Sequence, residues 1–161
     1  MHDEDDDDTP SADPAIRTDY EAALGQFILA FNEVDYRLSQ VIRAELSYRG
    51  RDDLMAGASK GPFTQRLATL EILSSATSNG RLSASPIARL RSLNTDRNNL
   101  AHGHFDQNPF DGSYSILLAK KAEDYPAAEV RRLAVELTQI ADWLRTTEIL
   151  YDFEDLTKRD A

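Results

Sequence analysis

The chain predicts an all-α fold, a bundle of four main helices with a short hairpin or loop excursion between the third and the fourth. Three observations carry this. Apolar residues recur at intervals of three and four along four stretches. Gly, Pro, Asn and Ser collect between those stretches. Strict alternation, the mark of a strand, is confined to a short segment after residue 104.

The first helix is expected from Thr18 or Asp19, either of which can cap it, with Glu21 in its first turn. Leu24, Phe27, Ile28, Phe31, Val34, Leu38, Val41, Ile42 and Leu46 form its apolar stripe, and Arg49-Gly50 ends it after about Tyr48. Asp35 interrupts the stripe, since it lies four residues after Phe31 and three before Leu38. Residues 50–62 hold three glycines and Pro62, and Asp52 and Asp53 can open a short turn there. Phe63, Leu67, Leu70, Ile72, Leu73 and Ala76 give a second helix, stopped by Ser78-Asn79-Gly80. Ser85-Pro86 reads as a cap followed by proline at the first helical position. The third helix carries Ile87, Leu90, Leu93 and Leu100 and ends at Gly103. Residues 104–118 combine the turn cluster Asn108-Pro109-Phe110-Asp111-Gly112 with alternating Tyr114, Ile116 and Leu118. Pro126 opens the fourth helix, with Val130, Leu133, Ala134, Leu137, Ile140, Ala141 and Leu144 on its stripe, to about Asp152. The organisation expected is a disordered acidic tail at 1–15, one helical domain at 16–155 and a C-terminal tail at 156–161.

The formal net charge of −10 is unevenly placed. Seven of the 28 acidic residues lie in residues 1–14, which hold no Lys or Arg. The remaining 21 acids face 18 bases, a net of −3. Such a domain is no general polyanion binder, so any RNA contact must be a local basic patch. Cysteine is absent, which excludes disulfides and thiolate metal sites and agrees with a reducing, cytoplasmic setting. The acidic N-terminus does not read as a secretory signal, and no apolar run approaches membrane-spanning length.

The chemistry concentrates in residues 94–106, Asn-Thr-Asp-Arg-Asn-Asn-Leu-Ala-His-Gly-His-Phe-Asp. Arg97 can fork two hydrogen bonds onto a phosphate. His102, four intervening residues later, is of the type that carries protons near neutrality. Asn98 can hold a substrate or orient a neighbour. An ordinary helix C-terminus also fits the run, with Gly103 as a left-handed cap and His102 beside the final carbonyls.

This run resembles the Arg-x4–6-His motif of the HEPN superfamily, small helical domains many of which are metal-independent ribonucleases. The resemblance in order and pattern covers most of residues 17–152, while the specific motif is about half a dozen residues. It implies an endoribonuclease of toxin, defence or stress type, leaving 2′,3′-cyclic phosphate ends. It also implies a two-fold homodimer that brings two motifs into one site, and in a toxin setting a cognate antitoxin protein. Phe31–Leu38 resembles the family's first-helix segment that carries an acidic residue facing the motif, which makes Asp35 a supporting residue. Arg97 is then its natural partner, because a buried carboxylate needs one; a helix rotation would instead leave Asp35 at a wet edge.

His104 invites a metal reading, because His102, His104 and Asp106 would align along an extended segment. Zinc needs three or four protein ligands and no further cluster accompanies them, so neither metal nor cofactor is expected. His104 is placed instead as a residue supporting the site. Arg89, Arg91, Arg131 and Arg132 can supply basic surface, and Phe110 and Tyr114 can stack on bases. The alternative to the ribonuclease is a non-catalytic bundle of the same shape that binds a nucleotide or a protein partner.

Overall fold

The computed structural model describes residues 13–76, 82, 84–118 and 121–159. The expected stop at Ser78-Asn79-Gly80 and the acidic run before Asp13 lie outside them. The described chain is mostly helical, with a small sheet: α1 Pro14–Tyr48, α2 Asp52–Ala58, α3 Phe63–Ser75, α4 Ala84–His102, then β1 His104–Gln107, β2 Tyr114–Leu118 and β3 Lys121–Asp124, and finally α5 Ala127–Arg159.

The sequence places the start of α1 about one and a half turns too late. Asp13, not Thr18 or Asp19, caps it, with Oδ1 accepting the Ala15 amide at 2.9 Å and Pro14 at the first helical position. Proline has no N–H to satisfy there, so Asp-Pro is a strong start. Residues 13–15 therefore belong to the helical body and not to the tail. At the far end α5 runs on through 156–159, which were expected to be tail. Pro86 lies inside the first turn of α4, not at its first position.

Ion pairs and ring contacts give the helix directions. Arg131 bonds Asp19, Arg37 bonds Glu148 at 3.1 Å, and the Tyr48 and Tyr151 rings lie 5.6 Å apart. Partner numbers rise together, so α1 and α5 run parallel along most of their length. The same argument makes α3 parallel to α1, from Phe31–Phe63 at 4.9 Å to Arg49 donating to the Leu73 carbonyl at 3.2 Å. Two successive helices can be parallel only if something carries the chain back. That is the role of α2, which packs on α1 and which the sequence shows only as a turn. Partner numbers run in opposite senses from Glu71–Arg91 to Ser74–Leu82, and from Arg89–Glu136 to Asp96–Tyr125, so α4 is antiparallel to α3 and to α5.

The core is a single cluster. The predicted α1 stripe is buried from Phe27 to Leu46, with Leu24 and Ile28 half-buried at its rim. Tyr20 and Ala23 extend it by two turns. The excursion after α4 is a three-stranded antiparallel meander in the order β1-β2-β3, with Phe105 opposite Ile116 and Ile116 opposite Glu123. The third strand escaped the sequence, since Lys-Ala-Glu-Asp carries no strand-forming residue. The β1–β2 turn closes on Gly112 at φ 73°.

One buried guanidinium joins α1, the loop before α3 and α3 itself. Arg66 donates to the Gly61 carbonyl at 3.1 Å, to the Asp35 carbonyl at 2.9 Å, to Ser39 Oγ and to the Asp35 carboxylate. Arg66 is 8% exposed, whereas the Asp35 side chain is 40% exposed. Breaking a fully buried pair costs about 3–5 kcal/mol, and the partial exposure of Asp35 reduces that. Arg66→Ala is therefore expected to lower unfolding stability by about 2 kcal/mol in urea titrations, with only partial recovery in Arg66→Lys, which lacks the fork.

Glycines give a sharper test. A Cβ at Gly103 would stand 2.0 Å from Ile116 Cγ2 and 2.6 Å from the Asn99 carbonyl, whereas at Gly25 it would meet nothing within 4 Å. Gly103→Ala should lower the melting temperature, by about 2 kcal/mol equivalent. Gly25→Ala, in mid-helix, should raise it, by about 0.5–1 kcal/mol equivalent.

Candidate functional site at the end of α4

Arg97, Asn98 and His102 stand on the last two turns of α4. At 100° per residue, Asn98 and His102 share a face, while Arg97 and His102 leave the helix about 140° apart. Arg97 turns toward α1, half-buried, its guanidinium carbon 5.8 Å from the centre of the Phe31 ring. Asn98 and His102 are exposed. Arg97 Nη1 donates to Asn98 Oδ1 at 3.1 Å, so the amide links the cation to the histidine's face. The three side chains form a ridge across the helix end rather than the walls of one cleft.

Asp35 does not join them. Its carboxylate is the partner of Arg66, one turn beyond the Phe31 ring that Arg97 covers. The expected Asp35–Arg97 pair is replaced by a cation over an aromatic face. Among the described residues no carboxylate pairs with Arg97.

His104 opens β1 and is exposed, with Asp106 on the same outward face, while Phe105 and Gln107 point inward. His102 belongs to the helix, so the extended His102, His104, Asp106 alignment does not form. Among the described residues no group of three or more His, Asp or Glu side chains is placed so that it could hold a metal ion.

Gly103 is not a left-handed cap; among the described residues the glycines with positive φ are Gly50, Gly61 and Gly112. It is the place where β2 crosses the helix end, with Ile116 fully buried against it. The helix terminus that carries His102 is thereby pressed against the sheet.

A polar network that the sequence did not suggest backs the site. Asn99 Nδ2 donates to Tyr125 Oη at 3.1 Å and to Glu123 Oε2 at 3.3 Å, and the Tyr125 hydroxyl donates to Asp96 Oδ1 at 3.0 Å. Asp96 and Asn99 lie within the motif, but their partners are more than 20 residues away and leave no local trace. The surface arginines are largely committed: Arg89 to Glu136, Arg91 to Glu71, Arg131 to Asp19, and Arg132 to Glu129. The basic surface expected of them is therefore neutralised in pairs. Among the described residues no helix is long and apolar enough to cross a membrane.

No family model, curated protein or solved structure matches the chain.

Burial, with the Asp96 carboxylate beside it, pushes the Tyr125 hydroxyl up to about 12. Unfolded tyrosine loses its proton near pH 10, so between about pH 10 and 12 the unfolded state holds fewer protons and stability falls as pH rises. Tyr125→Phe should flatten part of that alkaline fall in urea titrations at stepped pH. An unchanged slope would mean that Tyr125 is not the group responsible.

Proposed function

We propose that this chain is a metal-independent endoribonuclease of HEPN type, with Arg97, Asn98 and His102 as its active-site residues. The observation that carries the reading is the uncompensated charge of Arg97. It rests on a ring and an amide, both neutral, at the edge of an exposed face that ends in His102. A cation that no described carboxylate neutralises, half-shielded from water, is suited to an added phosphate charge.

The reaction follows from those groups. A base removes the proton of the 2′-hydroxyl, whose oxygen attacks the adjacent phosphorus. The bond to the 5′-oxygen breaks, and an acid returns a proton to it. The products are a 2′,3′-cyclic phosphate and a 5′-hydroxyl. Arg97 stabilises the extra negative charge on the phosphorane, Asn98 positions the phosphate, and His102 carries a proton. One chain supplies one histidine at this motif, so acid and base roles are divided between two copies in a two-fold homodimer. His104, exposed at the start of β1, supports substrate contact. The biological setting is a toxin or a defence or stress ribonuclease, with an antitoxin protein as partner.

A specific observation favours a second reading. Asp35 is held by Arg66, so the acidic residue that the resemblance assigns to the site serves the fold instead. A non-catalytic bundle binding a nucleotide or protein through Arg97 accounts for that equally.

Purified protein should cleave mixed RNA in EDTA and leave 2′,3′-cyclic phosphate ends, detected by end-group analysis. His102→Ala should lower the rate by about a hundredfold or more, the scale of a general acid or base. Arg97→Ala should act similarly, with incomplete rescue by Arg97→Lys. Substrates with 2′-deoxyribose should resist. Binding of RNA without cleavage would support the second reading, and full activity in both variants would remove these residues from the mechanism. Light scattering tests the assembly: a strict monomer that still cleaves RNA rejects the composite site.

A further inference from the structure

We propose that the cleft between the first turns of α1 and the β1–β2 hairpin receives one unpaired base of a single-stranded RNA that is held by another of its phosphates at Arg97. This rests on the reading of the α4 end as an RNA site. The cleft has a volume of about 390 Å³ and is lined by Arg17, Tyr20, Glu21, Phe105, Gln107 and Tyr114, among others.

Its floor is a fixed aromatic platform. Tyr20 stacks on Tyr114 with centroids 4.4 Å apart and planes 18° apart, and meets the edge of Phe105 at 5.8 Å. Because Tyr20 is 4% exposed, the platform is part of the core and is formed before anything binds. Its rim offers both donors and acceptors at no net charge. Arg17 Nε donates to Glu21 Oε1 at 2.8 Å on the α1 wall, and Gln107 brings an amide from the sheet. The hydrogen bond from Gln107 Nε2 to the Gly112 carbonyl is long, at 3.5 Å, and is readily exchanged for a ligand.

A nucleobase has the matching chemistry: planar, neutral, apolar on its faces, with donors and acceptors on its edge. A phosphate does not match a rim whose one cation is already paired. The phosphate charge falls to Arg97. Placement allows one strand to span both points, since Leu24 and Tyr20 precede Phe31, on which Arg97 lies, by seven and eleven residues of α1, about 10–16 Å along the helix and a few nucleotides of extended strand. A second concavity, of about 350 Å³, is also lined by Tyr20 and Tyr114, but besides Asp19, which Arg131 pairs, it carries Asp124. No described cation pairs with the Asp124 carboxylate, which opposes an incoming strand, so the base is assigned to the Gln107 side.

A fluorescently labelled 2′-O-methyl RNA hexanucleotide has no free 2′-hydroxyl, so its binding to the full chain is read by anisotropy without cleavage. Tyr114→Leu should weaken binding by about tenfold, as loss of a base stack does. Arg17→Ala and Gln107→Ala should each weaken it by about three- to fivefold. Circular dichroism shows whether Tyr114→Leu keeps its fold. If it does not, Arg17→Ala and Gln107→Ala, both outside the core cluster, decide the matter. Affinity unmoved by these variants, with cleavage still dependent on His102, overturns the base site alone and leaves the cleft to a protein contact. No measurable affinity in the wild-type chain overturns the RNA reading with it.

Discussion

The guanidinium of Arg66 is the contact on which the arrangement of the helices depends. A chain that leaves α1 and returns through α2 has no covalent reason to lay α3 parallel to α1. Arg66 supplies a directional one, because its bonds reach the Gly61 carbonyl, the Asp35 carbonyl and carboxylate, and Ser39 at once. Apolar packing of Phe31 on Phe63 and of Leu67 and Leu70 in the core provides the larger free energy but tolerates sliding. The ion pair fixes the register of α3 on α1, and with it the Phe31–Phe63 pair. Arg97 is placed on the same Phe31 ring.

A second constraint acts at the other end of the site. Gly103 lets Ile116 approach the last turn of α4 more closely than any side chain would permit. The terminus bearing His102 is thus held between the helical body and the meander. The Asp96–Tyr125–Asn99 bonds act on the same side of the helix, within about 40° of Gly103, and tie the turn to the segment that opens α5. The exposed side chains of the motif stand on backbone that both contacts hold.

Periodicity made α1, α3, α4 and α5 legible, because a buried stripe several turns long leaves a repeated signal that no single substitution hides. Phe27 to Leu46 on α1 and Val130 to Leu144 on α5 are cases in point. Shorter features were lost for separate physical reasons. In α2, seven residues with none buried carry no stripe. Lys-Ala-Glu-Asp becomes β3 because β2 offers it a free edge, not because of its own propensity. Thr18 and Asp19 are cap-type residues too, but Asp13 with Pro14 at the first helical position starts α1 about one and a half turns earlier, because proline has no N–H to leave unsatisfied there. Within the site, Arg97, Asn98 and His102 were legible as a local run. The capture of Asp35 by Arg66 and the joining of Asp96 and Asn99 to Tyr125 were not, since each links positions about 30 residues apart.

That capture bears on the chemistry of the site more than the expected pair would have done. Had Asp35 faced Arg97, the two charges would largely have cancelled, and an incoming phosphate would have had to displace a carboxylate. With Asp35 drawn to Arg66, Arg97 keeps its charge, and its neighbours, Phe31 and Asn98, add no negative charge to oppose an anion. The Phe31 ring also removes water from one side of the guanidinium, which strengthens its attraction for a phosphate. Arg89, Arg91, Arg131 and Arg132, by contrast, each lie against a carboxylate. In a folded part of net charge near −3, a half-buried cation with no carboxylate partner among the described residues is a local point of attraction for an anion.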